Sequence, residues 1–395
     1  MTRRPVEAHA RRVADLVAPA LERVPETVPL AAALGRLLLD PARAAGPMPP
    51  FRNSQMDGYA ARAADLAGAP VVLPVDGVVP AAAGAPPALA PGRLQKVMTG
   101  APLPDGADCV VPVERAEPAD GGVRILDAPA AGAYVREAGS DADAGAVLVR
   151  SGVRLAPRHL AAAAAGGADR LVVARRPRVA VLATGAEVVP PGAPLAFGQV
   201  HDVNGTAIAA LVAEHGGDPV LVTLTPDDPT EFAAALHEAT AAADLVLTAG
   251  GVSQGDFEVV RQVLEPLGAD VAEVAMQPGG PQGTAVVDGV PVLCFPGNPV
   301  SAQVSFTVFL RPLLRAAAGL DPIESRCLPL TVPVRRSPAG RRQWLRGVRT
   351  DGGVAPAGGP GSHLVAAMAA ADVLIDVPEQ TTGLDVGEVV AVLPL

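Results

Sequence analysis

The sequence predicts a multidomain protein of mixed α/β and β class. It comprises a doubly wound α/β domain, an N-terminal helical region, an inserted β-rich module and a C-terminal β domain. Three observations predict it. The chain has 395 residues, more than one ordinary hydrophobic core accommodates. From Arg178 to Leu267 apolar strands alternate with helix-length segments, the pattern of a parallel sheet covered on both faces. Short β-prone runs bounded by Gly and Pro turns lie on both sides of that stretch. The boundaries read from these changes are 1–45 with 135–175, 46–134, 176–325 and 326–395.

The elements follow in order. Val6, Val13, Leu16, Val17 and Leu21 share one face, which predicts an amphipathic helix from Val6 to Val24, ended by Pro25. Leu30 to Leu39 reads as a second short helix closed by Asp40-Pro41. From Gly46 to Tyr134 the runs Val71-Leu73, Val97-Met98, Val110-Val111 and Val123-Leu126 read as strands. Val147-Val149 precedes a helical segment, Pro157 to Ala165, rich in Ala. This segment and the N-terminal helical region are expected to pack together, with the β module inserted between them. Val179-Leu182 is a buried strand, and Val220-Thr223 and Leu245-Leu247 are strands; Asn204-Glu214, a helix capped by Asp228 and a helix between Gly255 and Leu267 alternate with them. Beyond Leu328 the β runs return.

Hydrophobic residues make up 49% of the chain and mean hydropathy is +0.32, the composition of a folded protein. Aromatics are only 3%, so Ala, Val and Leu must fill the cores. A net charge of −10 and a pI near 5.1 argue against a nucleic-acid partner. Cys109, Cys294 and Cys327 lack metal-ligand spacing, and Cys294 reads as a small core residue. The six His residues show no zinc pattern. No apolar run is long enough for a membrane span, and no secretory signal follows Arg3-Arg4. A reduced, cytoplasmic protein is the expectation.

Chemistry is expected in the loops. Strand Leu245-Ala249 runs into Gly250-Gly251-Val252-Ser253-Gln254-Gly255-Asp256, and strand Val292-Phe295 runs into Pro296-Gly297-Asn298-Pro299-Val300-Ser301. Glycines allow the backbone to approach a ligand, so its N–H groups can face an anion. Two prolines around Gly-Asn restrict the second loop more than a simple turn needs. A third loop, Thr184-Gly185-Ala186-Glu187, also ends a strand, where ligands gather in open α/β sheets. A plain turn is the alternative reading of the first two loops, and a helix-dipole role for Glu187 that of the third. The carboxylates of Asp57, Asp227, Asp228 and Glu258 would suit a hard cation such as Mg²⁺ if they converge. Asp228 before Pro229 reads equally as a helix cap.

The ordered motifs resemble the molybdopterin molybdenumtransferase (MoeA) family, which includes the E domain of gephyrin. The resemblance spans nearly the whole chain. It rests on Asn53-Ser54-Gln55-Met56-Asp57-Gly58-Tyr59-Ala60, Thr99-Gly100-Ala101-Pro102-Leu103-Pro104 and Gly106-Ala107-Asp108. It continues through Arg136-Glu137-Ala138-Gly139-Ser140-Asp141, Thr184-Gly185-Ala186-Glu187 and Asp202-Val203-Asn204 to the two Gly/Pro loops. It implies Mg²⁺-dependent insertion of molybdate into adenylylated molybdopterin with release of AMP. It further implies a homodimer, with a molybdopterin adenylyltransferase as substrate donor.

By position the resemblance assigns pterin and phosphate binding to Thr184, Gly185, Asn204, Gly250, Gly251, Ser253, Gly255, Asp256, Pro296, Gly297, Asn298, Pro299 and Ser301. It assigns the reacting region to Asp57, Thr99, Glu187, Asp227, Glu258, Arg346 and Ser362. Asp57, Glu187, Asp227 and Glu258 are its metal ligands, and Asp57 and Thr99 are implied to reach the site from the partner subunit. The sequence departs from the family in Gln277-Pro278-Gly279-Gly280-Pro281, where the family carries lysines at the positions of Gln277 and Gly280. Glu273 also stands near a family lysine. The second reading is therefore a molybdopterin-binding or scaffold protein on the same fold. A third, a nucleotide-binding hydrolase sharing only the α/β domain, leaves Asp57, Thr99 and Arg346 without roles.

Overall fold

The computed structural model describes residues 3–252 and 258–395. The chain forms two compact units, Met1–Pro25 with Ala174–Leu395, and Glu26–Val173. The sequence-predicted residues Ser253, Gly255 and Asp256 lie outside the described residues.

In the first unit, α1 (Val6–Val17) buries Val6, Val13 and Val17. It is shorter than its apolar pattern predicts. Pro19 lies inside the predicted helix, has no N–H and crowds the preceding turn, so the chain passes into a 3₁₀ turn at Pro19–Leu21. The α/β core then follows: β1 (Arg178–Thr184), α2 (Asn204–Glu214), β2 (Asp218–Thr225), α3 (Pro229–Ala242), β3 (Leu245–Ala249) and α4 (Val259–Leu264). Next come β4 (Asp270–Glu273), β5 (Pro281–Val287), β6 (Val290–Phe295), α5 (Pro299–Ser305) and α6 (Arg311–Ala317).

The sheet order is β2-β1-β3-β6-β5-β4. The first four strands are parallel; β5 and β4 are antiparallel additions. Val181, Leu247 and Phe295 on one face pack with Val13 of α1, Ile208 of α2 and Val300 of α5. Leu182, Val246 and Cys294 on the other face pack with Phe232 and Leu236 of α3 and Val260 of α4. Alternate side chains of β1, β3 and β6 thus enter opposite layers, which is why these three strands read as continuous apolar runs, whereas the edge strand β2 leaves Val220 and Val222 exposed. Cys294 lies in this core, and burial pushes its thiol up to about 12.

The C-terminal sheet contains β7 (Arg342–Thr350), β8 (Val373–Val377) and β9 (Val389–Pro394), with Arg326–Pro329 at its edge. A short strand, Met276–Gln277, leaves the α/β sheet and pairs in parallel with Arg342 and Gln343 of β7. This seam carries the polypeptide between β4 and β5 along the edge of the C-terminal sheet.

The Glu26–Val173 unit is β-rich and contains residues 46–134 together with flanking segments. Its four-stranded sheet runs Val75–Val79, Leu94–Val97, Gly58–Ala61, Cys109–Pro112. Val28, Leu38, Val149, Leu155, Ala163 and Val173 form a separate core around helix Pro157–Ala165. The second helix predicted over Leu30 to Leu39 is only a 3₁₀ turn at Leu30–Ala32. Gly35 takes φ +72°, and Leu37 and Leu38 form isolated β-bridges with Arg154 and Val173. Extended pairing satisfies their backbone better than a helix would here.

Candidate active site

The carboxyl ends of the four parallel strands open into a cavity of about 800 Å³. Each strand contributes a loop to it, at the place where ligands bind open α/β sheets.

Beyond β1, Gly185 adopts φ +150°, and Glu187 reaches the cavity. The Ala186 N–H donates to Asp227 Oδ2 at 2.9 Å, which ties this loop to the loop after β2. Beyond β3, Gly250 and Gly251 take φ +108° and +61°. A Cβ on Gly250 would lie 2.8 Å from the Thr184 carbonyl oxygen, and one on Gly251 2.9 Å from the Val260 nitrogen. Both positions require glycine for conformation and for space. Beyond β6, a Cβ on Gly297 would come within 3.2 Å of Gly250 Cα, so the two Gly/Pro loops lie against each other. Asn204 Nδ2 donates to the Gly297 carbonyl at 2.7 Å, which fixes the amide and leaves its Oδ1 buried without a partner among the described residues. That oxygen is an acceptor open to a ligand N–H.

Thr184, Gly185, Glu187, Asn204, Asp227, Gly250, Gly251, Glu258, Pro296, Gly297, Asn298, Pro299, Ser301 and Ser362 all line this one cavity. Ser362 arrives from the C-terminal domain, where its carbonyl accepts the Val300 N–H at 3.0 Å. Arg346 is placed differently. It is 3% exposed and is absent from the described cavity lining. Its guanidinium donates to the carbonyls of Gly359 and Gly361, at 3.1 Å for the latter, and burial lowers its pKa. Arg346 therefore holds the loop that carries Ser362. Asp57 and Thr99 form a pair of their own in the Glu26–Val173 unit. Asp57 Oδ1 accepts from the Thr99 N–H at 2.7 Å and from its hydroxyl at 2.9 Å, and these bonds lower the carboxyl pKa.

The cavity also holds groups assigned no site role from sequence alone: Asp202, Glu273, Arg341 and His363. Asp202 sits inside a motif quoted above and His363 directly follows Ser362, so their neighbourhood was a signal. Glu273 and Arg341 meet only because Met276–Gln277 pairs with β7, a non-local event with no local sequence mark. Among the described residues, no three His, Cys, Asp or Glu side chains converge as a metal cage. Asp202 accepts the Gly205 N–H at 2.9 Å and so serves the start of α2.

Known proteins match this architecture segment by segment. Residues 180–316 match the family model described as a probable molybdopterin binding domain, so the α/β domain is of the molybdopterin-binding class. Residues 4–167 match the MoeA N-terminal region (domain I and II), and residues 329–395 match the MoeA C-terminal region (domain IV). The chain belongs to the MoeA family. It is 39% identical to molybdopterin molybdenumtransferase 2 of Mycobacterium tuberculosis, over 97% of this chain and 98% of that protein. It is 37% identical to molybdopterin molybdenumtransferase 1 of the same organism, over 98% and 97%. The crystal structure of the molybdopterin biosynthesis MoeA protein from Pyrococcus horikoshii superposes with a TM-score of 0.80 at 33% identity, covering 100% of this chain and 99% of that one.

Proposed function

We propose that this protein is a molybdopterin molybdenumtransferase that inserts molybdate into adenylylated molybdopterin and releases AMP. The observation that carries the reading is the convergence of four strand-end loops and the Ser362 loop on one polar cavity. Its relatives are named molybdopterin molybdenumtransferases.

The chain's own groups have distinct tasks in this reading. Gly250, Gly251 and Gly297 let the backbone approach the pterin phosphate closely. Asn204 Oδ1 accepts from a ligand N–H. Asp227 holds the Thr184–Glu187 loop in register through the Ala186 N–H. Pro296 and Pro299 keep the second loop rigid, so that bound reactants meet in a fixed geometry; such positioning supplies much of a rate enhancement. Magnesium fits the donor chemistry, because Glu187, Asp227 and Glu258 offer hard oxygen ligands on the cavity wall. Mg²⁺ commonly uses one or two carboxylates and completes its shell with phosphate oxygens and water, so a closed protein cage is not required. When bound, the ion would neutralise phosphate charge and polarise the bond to AMP.

Asp57 and Thr99 complete the site from the partner subunit of a homodimer, and a molybdopterin adenylyltransferase delivers the substrate. The cytoplasm is the compartment. Among the described residues no helix is long and apolar enough to cross a membrane.

The second reading, a molybdopterin-binding scaffold, draws on Gln277 and Gly280, neutral residues on the wall of a carboxylate-rich cavity. One assay separates the two. Purified protein is supplied with adenylylated molybdopterin, Mg²⁺ and molybdate, and AMP is measured. The transferase reading expects AMP and molybdenum cofactor in equal amounts. Substrate binding without AMP at any molybdate concentration leaves the scaffold.

A further inference from the structure

The described cavity wall carries five carboxylates, Glu187, Asp202, Asp227, Glu258 and Glu273, and only one arginine or lysine, Arg341. We infer that Arg341 is the side chain that recognises a tetrahedral oxyanion in this cavity, with Glu273 holding it until the anion arrives. This rests on the transferase reading, whose substrates bring two such groups: phosphate and molybdate.

The pairing with Glu273 is loose. Arg341 Nη2 stands 3.9 Å from Glu273 Oε1, and the side chains are 31% and 27% exposed. At that separation the contact is electrostatic rather than a hydrogen bond, and partly solvated pairs of this kind are weak. A doubly charged oxyanion can take the guanidinium from it, because the planar fork of donors matches two oxygens at once.

Neighbouring cations are committed elsewhere. Arg342 is bound to Asp376 through Nε at 2.8 Å and Nη2 at 2.5 Å, to Glu7 at 2.8 Å, and lies over the Trp344 ring. Arg346 is buried on the carbonyls of Gly359 and Gly361. The Arg342 N–H donates to the Ala275 carbonyl at 2.9 Å, so the backbone under Arg341 is fixed at the cavity rim while its side chain is not.

The two neutral positions in the Gln277–Pro281 loop agree with this assignment. Gln277 Oε1 accepts from Gln343 Nε2 at 2.7 Å, which occupies its amide oxygen. A Cβ on Gly280 would run into the Glu273 carboxylate, so glycine there leaves room for Glu273 beside Arg341. The loop itself brings no charge, and the positive group stands instead at Arg341, the residue before β7.

The test is calorimetric titration of the full chain in Mg²⁺, with molybdate in one arm and AMP in the other. Arg341→Ala is expected to weaken one of the two by about tenfold, the loss of one charge-assisted contact. The arm that moves names the oxyanion. Arg341→Lys retains part of the affinity, and Glu273→Gln, which removes the competing acceptor, tightens the same arm. Arg349→Ala, an exposed arginine outside the cavity, leaves both arms unchanged. The inference is overturned if folded Arg341→Ala binds both anions like the parent, or if Glu273→Gln fails to tighten either. The second criterion decides even where Arg341→Ala does not fold. Parent protein that binds neither anion overturns the transferase reading together with the inference.

Discussion

At the scale of single residues, Asp244 shows how one side chain sets the start of the central sheet. It lies at the entry to β3. Its Oδ2 accepts from the Arg178 N–H and from Arg175 Nη1, both at 2.8 Å, and its Oδ1 accepts from Arg178 Nη2 at 2.9 Å. Burial alone would raise this carboxyl; the hydrogen bonds and charge of Arg175 and Arg178 prevail and hold it at about 2. Because the folded value is depressed, its stabilisation is complete above the unfolded carboxyl value and is lost as pH falls toward 2. The shift corresponds to about 2 kcal/mol at neutral pH. Asp244→Asn should lower urea stability by roughly that amount at pH 7, and the gap to the parent should be roughly halved by pH 3. A gap that stays constant from pH 7 to pH 3 would exclude ionisation of Asp244 as its source.

The same scale separates what the sequence could and could not reveal about the site. Thr184, Gly185, Gly250, Pro296, Gly297 and Asn298 were legible because each sits in a short strand–loop grammar whose chemistry is local. Arg346 was legible as an arginine near the site but not as a buried one, because its burial depends on carbonyls more than ten residues ahead in the loop it holds. Arg341 and Glu273 meet across the Met276–Arg342 pairing, and nothing in either local sequence marks that register.

At the scale of elements, legibility followed the strength of local punctuation. Helix α2 was predicted with its observed limits, since Gly216-Gly217 stops an apolar-faced segment. Helix α3 was marked by Asp228-Pro229. The Asp228 carboxylate accepts the N–H groups of Thr230 and Glu231, each at 2.9 Å, so two donors that the helix leaves unpaired are satisfied. Asp228 thus caps α3 and leaves the cavity wall to Asp227. Asp228→Ala should cost about 1 kcal/mol, seen as a lower urea midpoint and faster amide exchange in the first turn of α3. Unchanged exchange there would mean the cap contributes nothing. Helix α1 and the Leu30–Ala32 turn are shorter than their apolar spacing predicts because Pro19 and Gly35 interrupt them. Tertiary pairing at Leu37 and Leu38 then favoured extended backbone. The antiparallel strands β4 and β5 carry weaker marks: the prolines and glycines of Gln277–Pro281 run directly into β5, which begins at Pro281.

At the scale of the whole molecule, the proposed homodimer makes a prediction that neither unit makes alone. Asp57 belongs to the Glu26–Val173 unit and Asp227 to the cavity of the other. If each site joins the cavity of one subunit to Asp57 of its partner, Asp57→Ala and Asp227→Ala damage different halves of a shared site. Each variant alone should release little AMP. Unfolded together and refolded as an equal mixture, they should form hybrid dimers in about half of cases, each with one intact site. Activity should then recover to about a quarter of the parent's under random two-fold pairing. If Asp57 instead serves the cavity of its own chain, every site in every hybrid carries one lesion and mixing restores nothing. The same result would follow if the protein did not dimerise, and the mass of the active species by light scattering separates those two cases. Recovery would also bear on the scaffold reading, because only a turning-over site can be rebuilt from two inactive halves. The mixture thus tests the subunit arrangement and the chemistry together, with AMP as a single readout.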